Sequence, residues 1–264
     1  MNILFIGDIM GRPGRRAVAA ELPRILREIP VDFVVANAEN AASGKGATPE
    51  ILQDLRKLGV QGFTMGNHTW KKKVLIPVMD QIPGLVRPAN YPPGAPGKGS
   101  TVLTLPDGRK LGVLNLIGRV YMEAFDCPFR KADEELARLR EETPFILVDM
   151  HAEATSEKVA MGWHLDGRCT AVVGTHTHVQ TADEWLLPKG TAFITDVGMC
   201  GPVNSVIGTD VQIIVGKFVN GMPREYEVAK GPAQFCAVLI EADDASGKAK
   251  SIQRIFVREE GSVE

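Results

Sequence analysis

The sequence predicts an α/β fold on three observations. Short apolar runs alternate with amphipathic stretches through the first half of the chain. Those runs are continuous rather than alternating, as in parallel strands covered on both faces. Strand-like segments then crowd the second half.

Taken in order, residues 3–6 read as a strand and 14–28 as the helix after it. Residues 33–36 form a second strand. Residues 49–58 form a helix opening on Pro49, whose fixed φ suits a first turn. A short strand at 61–65 precedes a helical stretch at 71–80, and the proline- and glycine-rich stretch 85–99 reads as an irregular crossing. Residues 101–105 and 110–116 flank Pro106-Asp107-Gly108-Arg109, a hairpin turn. A helix at 131–142 leads into a strand at 145–149, and one at 156–164 leads into 171–174. Further strands are expected at 192–195, 211–215, 225–228, 234–240 and 251–257. With no repeat, low-complexity tract or linker, residues 1–264 read as one domain.

Composition narrows the class. At 44% hydrophobic and 23% charged, the 264 residues can bury a sizeable core, which excludes disorder and a disulfide-dependent miniprotein. Thirty basic against 32 acidic residues argue against stable nucleic-acid binding but not against a nucleotide substrate. The N-terminus has no basic leader, and no apolar run reaches the ~20 residues of a membrane span. Cys127, Cys169, Cys200 and Cys236 are widely spaced and read as reduced thiols. A cytoplasmic protein is the expectation, with assembly into a homo-oligomer left open.

Polar residues with metal-binding chemistry follow several of the expected strands. They are Asp8, Glu39-Asn40, Asn67-His68, His151, and the pair His176 and His178. In an open parallel sheet the carboxyl ends of the strands share one edge, where ligands bind. Carboxylates, amide oxygens and imidazoles without a thiolate suit Mn, Fe or Zn better than a structural zinc site. With His68 set aside, seven such groups exceed one tetrahedral ion and suit two ions about 3.5–4 Å apart. Four of the five histidines fall in this set, and only His164 lies outside.

Gly7-Asp8, Glu39-Asn40, Gly66-Asn67-His68, His151 and Gly174-Thr175-His176-Thr177-His178 match, in order, the blocks of the calcineurin-like metallophosphoesterases. The chain resembles that family from Asp8 to His178. The resemblance implies a four-layer α/β/β/α sandwich with a di-metal centre at the strand ends. The usual Gly-Asp-x-His-Gly opening is Gly7-Asp8-Ile9-Met10-Gly11 here, and the bridging Asp is Glu39 followed by Asn40. In this the chain looks like the bacterial YmdB-type branch, described as hydrolysing 2',3'-cyclic nucleotides and related phosphodiesters. By that resemblance Asp8, Glu39, Asn40 and His178 hold one ion, while Glu39, Asn67, His151 and His176 hold the other. Iron or manganese is expected, with zinc or magnesium as alternatives. A bridging hydroxide would attack phosphorus in line, with His68 as general acid. The rival readings are a metal-dependent phosphatase acting on a phosphomonoester or phosphoprotein, and a non-catalytic regulatory RNA-associated protein.

Each residue alone has a plainer reading. Asp8 can cap a helix, Glu39-Asn40 can form a solvated turn, and Asn67-His68 can cap the following segment. Together these readings require independent coincidences at matching strand ends. The basic turn Gly11-Arg12-Pro13-Gly14-Arg15-Arg16 reads equally as a phosphate cradle or a cap, and Asp196-Val197-Gly198 as a pocket edge or a tight turn.

Overall fold

The computed structural model describes residues 1–259. In chain order the strands are β1 (Asn2–Ile6), β2 (Asp8–Ile9), β3 (Phe33–Asn37), β4 (Gly62–Thr64), β5 (Leu85–Val86), β6 (Ser100–Thr104), β7 (Lys110–Ile117), β8 (Ile146–His151), β9 (Ala171–Thr175), β10 (Trp185–Leu186), β11 (Ala192–Ile194), β12 (Met199–Pro202), β13 (Ala233–Ala242) and β14 (Ala249–Arg258). The α-helices are α1 (Gly11–Glu28), α2 (Pro49–Lys57), α3 (Pro128–Arg140), α4 (Thr155–Leu165) and α5 (Val211–Asn220).

One sheet is ordered β2-β12-β13-β1-β3-β4-β5, with β14 also paired to β13. Its β1, β3, β4 and β5 run parallel, and β13 joins β1 antiparallel. The other sheet is ordered β10-β11-β9-β8-β7-β6, with β7, β8, β9 and β11 parallel.

The sheets pack face to face. Ile3, Phe5, Val238 and Ile240 from the first meet Leu147, Val173 and Ile194 from the second. On the first sheet's outer face, Val18, Leu22 and Ile25 of α1 and Leu52 and Leu55 of α2 cover Leu4 and Phe235. On the second, Leu136 and Leu139 of α3 and Met161 and Leu165 of α4 cover Leu114 and Val148. The layers therefore run α/β/β/α. Covering both faces explains why β3 is buried at all five positions and shows no polar alternation.

The expected elements differ from the observed ones where local capping or very short length decides the outcome. Residues 211–215, expected as a strand, begin α5. The Asp210 carboxylate accepts from the Gln212 and Ile213 backbone N–H groups at 2.9 and 3.2 Å. Gly221 then closes the helix at φ 68°. That stop and start outweigh the β-propensity of Val-Gln-Ile-Ile-Val. Residues 225–228 make no strand beyond a single bridge from Val228 to Thr209. The helical stretch expected at 71–80 is a 3-10 helix, Lys73–Gln81. β2, β10 and β12 span only two to four residues each, too few to carry a periodic signal. Among the described residues no helix is long and apolar enough to cross a membrane, and all four cysteines are free thiols.

Core and surface aromatics should separate cleanly in urea titrations. Phe5 is fully buried between the sheets, so Phe5→Ala should cost about 3–5 kcal/mol. Phe218 on α5 is 81% exposed, and Phe218→Ala should stay within about 0.5 kcal/mol.

Candidate functional site

Asp8 opens β2 just past β1, Glu39 and Asn40 follow β3, and Asn67 and His68 follow β4. His151 ends β8, while His176 and His178 follow β9. The sequence reading expected one shared sheet edge. The structure instead draws five of these residues from one sheet and three from the other. They meet because the two sets of strand ends open at the same end of the seam.

The side chains fall into two groups around Glu39. In one, ligand atoms of Glu39, His151 and His176 all lie within 4.8 Å of one another. Nε2 of His151 is 3.3 Å from Glu39 Oε1, 3.1 Å from His176 Nδ1 and 3.0 Å from Asn67 Oδ1. In the other, His178 Nε2 lies 3.8 Å from Asp8 Oδ1. Asp8 Oδ1 and Asn40 Oδ1 are buried with no hydrogen-bond partner among the described residues. The Asn40 amide cannot turn to relieve this, because its Nδ2 donates to the Gly44 carbonyl at 2.9 Å. Leaving such an oxygen bare costs about 1–3 kcal/mol, a cost that a bound cation would offset. The donor set of carboxylates, amide oxygens and imidazoles, with no thiolate, fits a hard or borderline divalent ion.

Electrostatics among the protein groups follow from burial and pairing. Burial works to raise Glu39, but the facing His151 and His68 outweigh it and hold the carboxyl well below the usual range. Burial likewise works to lower His151, yet Glu39 lifts it to about 9. His176, buried beside His151, falls to about 3 and is a neutral lone-pair donor. Burial raises Asp8 against the pull of His178. A proton on His151 thus supplies the positive charge that a cation would replace on binding.

A supporting layer fixes these groups, and the sequence reading missed it. Thr175 gives its one hydroxyl proton to Asp149 Oδ1 at 2.7 Å. It must therefore accept from His151 Nδ1 at 2.9 Å, which turns Nε2 toward Glu39. The other Asp149 oxygen accepts from Asn37 Nδ2 at 3.2 Å and from the Thr64 hydroxyl. Asp149 is fully buried, and burial raises its pKa to about 6. The available signal was a carboxylate inside the otherwise apolar strand Ile146–His151. His178 Nδ1 donates to the Ile207 carbonyl at 2.8 Å, with Ile207 at φ 45°, a costly conformation for a β-branched residue. Gly66 is required by close approach, since a Cβ there would lie 2.3 Å from His151 Nε2 and 2.5 Å from Glu39 Oε2.

A cleft of about 600 Å³ opens over the site, lined in part by Glu39, His68, Glu153, His176, Arg224 and Tyr226. His68 is partly exposed there, its Nδ1 3.1 Å from Glu39 Oε1. Glu153 Oε2 lies 3.1 Å from His176 Nε2. His164 stays apart on α4, paired with Asp133 at 3.0 Å. The basic turn is engaged in the fold rather than the cleft, with Arg15 on the Ala41 carbonyl and Arg16 on Glu259.

Comparison with known proteins covers nearly the whole chain. A Bacillus subtilis (strain 168) protein named 2',3'-cyclic-nucleotide 2'-phosphodiesterase is 49% identical over 260 residues, 98% of each chain. The crystal structure of a hypothetical protein from Thermus thermophilus is 43% identical at a TM-score of 0.91, covering 98% of this chain and all of that one. A crystal structure described as a novel phosphatase from Mycoplasma pneumoniae is 36% identical at a TM-score of 0.93, covering 99% of this chain and 94% of that one. The profile of the YmdB-like proteins matches residues 4–255, and the chain belongs to that family.

Proposed function

We propose that this enzyme is a two-cation phosphodiesterase that hydrolyses small cyclic nucleotides, with nucleoside 2',3'-cyclic phosphates as its substrate class. The observation that carries the proposal is the pair of bare buried oxygens, Asp8 Oδ1 and Asn40 Oδ1, beside the Glu39-His151-His176 cluster. The name of the Bacillus subtilis relative supports the substrate class. Asp8, Asn40 and His178 would hold one ion and Asn67, His151 and His176 the other, with Glu39 shared. The oxygen-rich donor set favours manganese or iron. Such ions supply Lewis-acid charge for the phosphoryl oxygens and acidify a water.

The chain's own groups do the rest. Lys45 and Arg224 on the cleft wall give an anionic ester a cationic approach. Glu39 Oε1 and Asn40 Nδ2 both lie 3.1 Å from His68 Nδ1, so Nε2 is the nitrogen left to face the leaving oxygen. A water oxygen would bond to phosphorus opposite that leaving group and release one proton to solvent, one ribose ester P–O bond would break, and His68 would give its proton to the freed ribose oxygen, leaving a nucleoside monophosphate.

After loading with Mn²⁺, turnover of 2',3'-cyclic AMP should exceed that of 3',5'-cyclic AMP and of p-nitrophenyl phosphate. Turnover confined to the monoester would establish a phosphatase instead, and failure on every diester would sink the proposal. Chelation followed by dialysis should abolish turnover, and added Mn²⁺ should restore it. His68→Ala should lower kcat by about 10²–10⁴-fold with metal content unchanged. A parallel loss of metal would instead make His68 a ligand.

A further inference from the structure

Beneath the His176-Thr177-His178 turn lies an ion pair that the proposed chemistry does not use. Lys158 on α4 and Asp196 after β11 are 1% and 0% exposed, with Nζ 2.7 Å from Oδ2. That same Oδ2 also accepts from the Thr177 backbone N–H at 3.0 Å and its hydroxyl at 2.6 Å, while Oδ1 accepts from the Gly198 N–H at 2.8 Å. Thr177 is flanked by His176 at φ 99° and His178 at φ 66°, a region that costs a non-glycine residue about 1–3 kcal/mol. Two strained residues so close together persist only if something holds the segment between them. The lysine stem reaches Asp196 by crossing Gly174, where a Cβ would lie 2.9 Å from Lys158 Cδ and 1.7 Å from the Thr195 carbonyl oxygen. The glycine that opens the Gly-x-His-x-His motif is therefore also the passage for this lysine.

We infer that Lys158 and Asp196 are positioning residues, clamping Thr177 so that both flanking imidazoles are held in ligand geometry. A buried ion pair is a poor way to gain stability, because desolvation cancels much of the attraction. Its three bonds to Thr177 and Lys158 on one oxygen instead give it a geometric task. The inference rests on the two-cation reading.

The test is the affinity of the apo-protein for Mn²⁺ by titration calorimetry, together with the visible spectrum of the Co²⁺-loaded protein. Lys158→Met should weaken binding about 10–100-fold, the range for removal of a ligand's support, and change the Co²⁺ bands. Lys158→Met/Asp196→Asn, neutral but with an amide oxygen still able to accept from Thr177, should recover most of that loss. Thr177→Val leaves the ion pair intact and should weaken binding about tenfold with Tm nearly unchanged, so it carries the test if Lys158→Met does not fold. Wild-type affinity and bands in Thr177→Val and in folded Lys158→Met, even with a lowered Tm, would overturn the inference and leave the two-cation reading standing. A wild-type chain that takes up no Mn²⁺ would overturn both.

Discussion

Asp149 is fully buried where the two sheets meet, and its carboxylate bonds to both of them. Asn37 and Thr64 reach it from the first sheet, and Thr175 from a neighbouring strand of the second. Apolar packing fits the two sheets closely but sets no hydrogen-bond direction. The Asp149 network is directional, and it lies directly beneath the site. The same carboxylate fixes the ring of His151 through Thr175, so sheet register and imidazole orientation have one origin. With Glu39 contributed by one sheet and His151 by the other, a shift at the seam would separate the two groups that the site most needs together.

The clustered groups are individually unfavourable. Glu39 and Asp8 are carboxylates removed from water, and Asp8 and Asn40 each keep an oxygen with no donor among the described residues. His176 and His178 stand in strained backbone conformations, and so does Ile207, whose carbonyl braces His178. Such a collection persists because the surrounding core over-determines it. Three layers of apolar contact enclose the strands that end here, and close approach at Gly66 leaves the chain no room to relax. Two of the three partnerless buried side-chain oxygens and three of the five non-glycine residues at positive φ among the described residues lie at this one place.

The α/β class was legible because continuous apolar strands between amphipathic helices bury their surface in few ways besides a covered parallel sheet, whereas the four-layer arrangement followed only from the resemblance of the motif blocks. The residues at strand ends were legible too, since Asp8, Asn67 and His176 interrupt apolar runs at points where a chain normally turns. Segment 211–220 was misread because its opening run of apolar and β-prone residues carries no decisive period, and the information lay in Asp210 and Gly221 on either side. Asp149 and Lys158 were missed for a different reason. Their partners are distant in sequence, Thr64 at 85 residues and Asp196 at 38, so no local pattern announces them. The split of the site between two sheets was hidden for the same reason, because strand order is a property of pairing and not of any segment.

The two halves of the site resolve their charge differently, and this follows from which donors each contains. Around His151 an imidazole can take up a proton, so the Glu39 carboxylate has a counter-charge even without a cation. Around Asp8 the relief falls on the carboxyl itself, which burial raises. The Asn40 amide is locked by Gly44, and His178 spends Nδ1 on Ile207 and stands 3.8 Å away through Nε2. The imidazole-rich half therefore meets its charge with a proton on a facing ring, whereas the oxygen-rich half keeps two bare oxygens. A cation entering beside Asp8 would gain two bare oxygens. One entering beside His151 would displace the proton that Glu39 favours there, and with burial raising Asp8 as well, acid pH opposes cation binding in both halves.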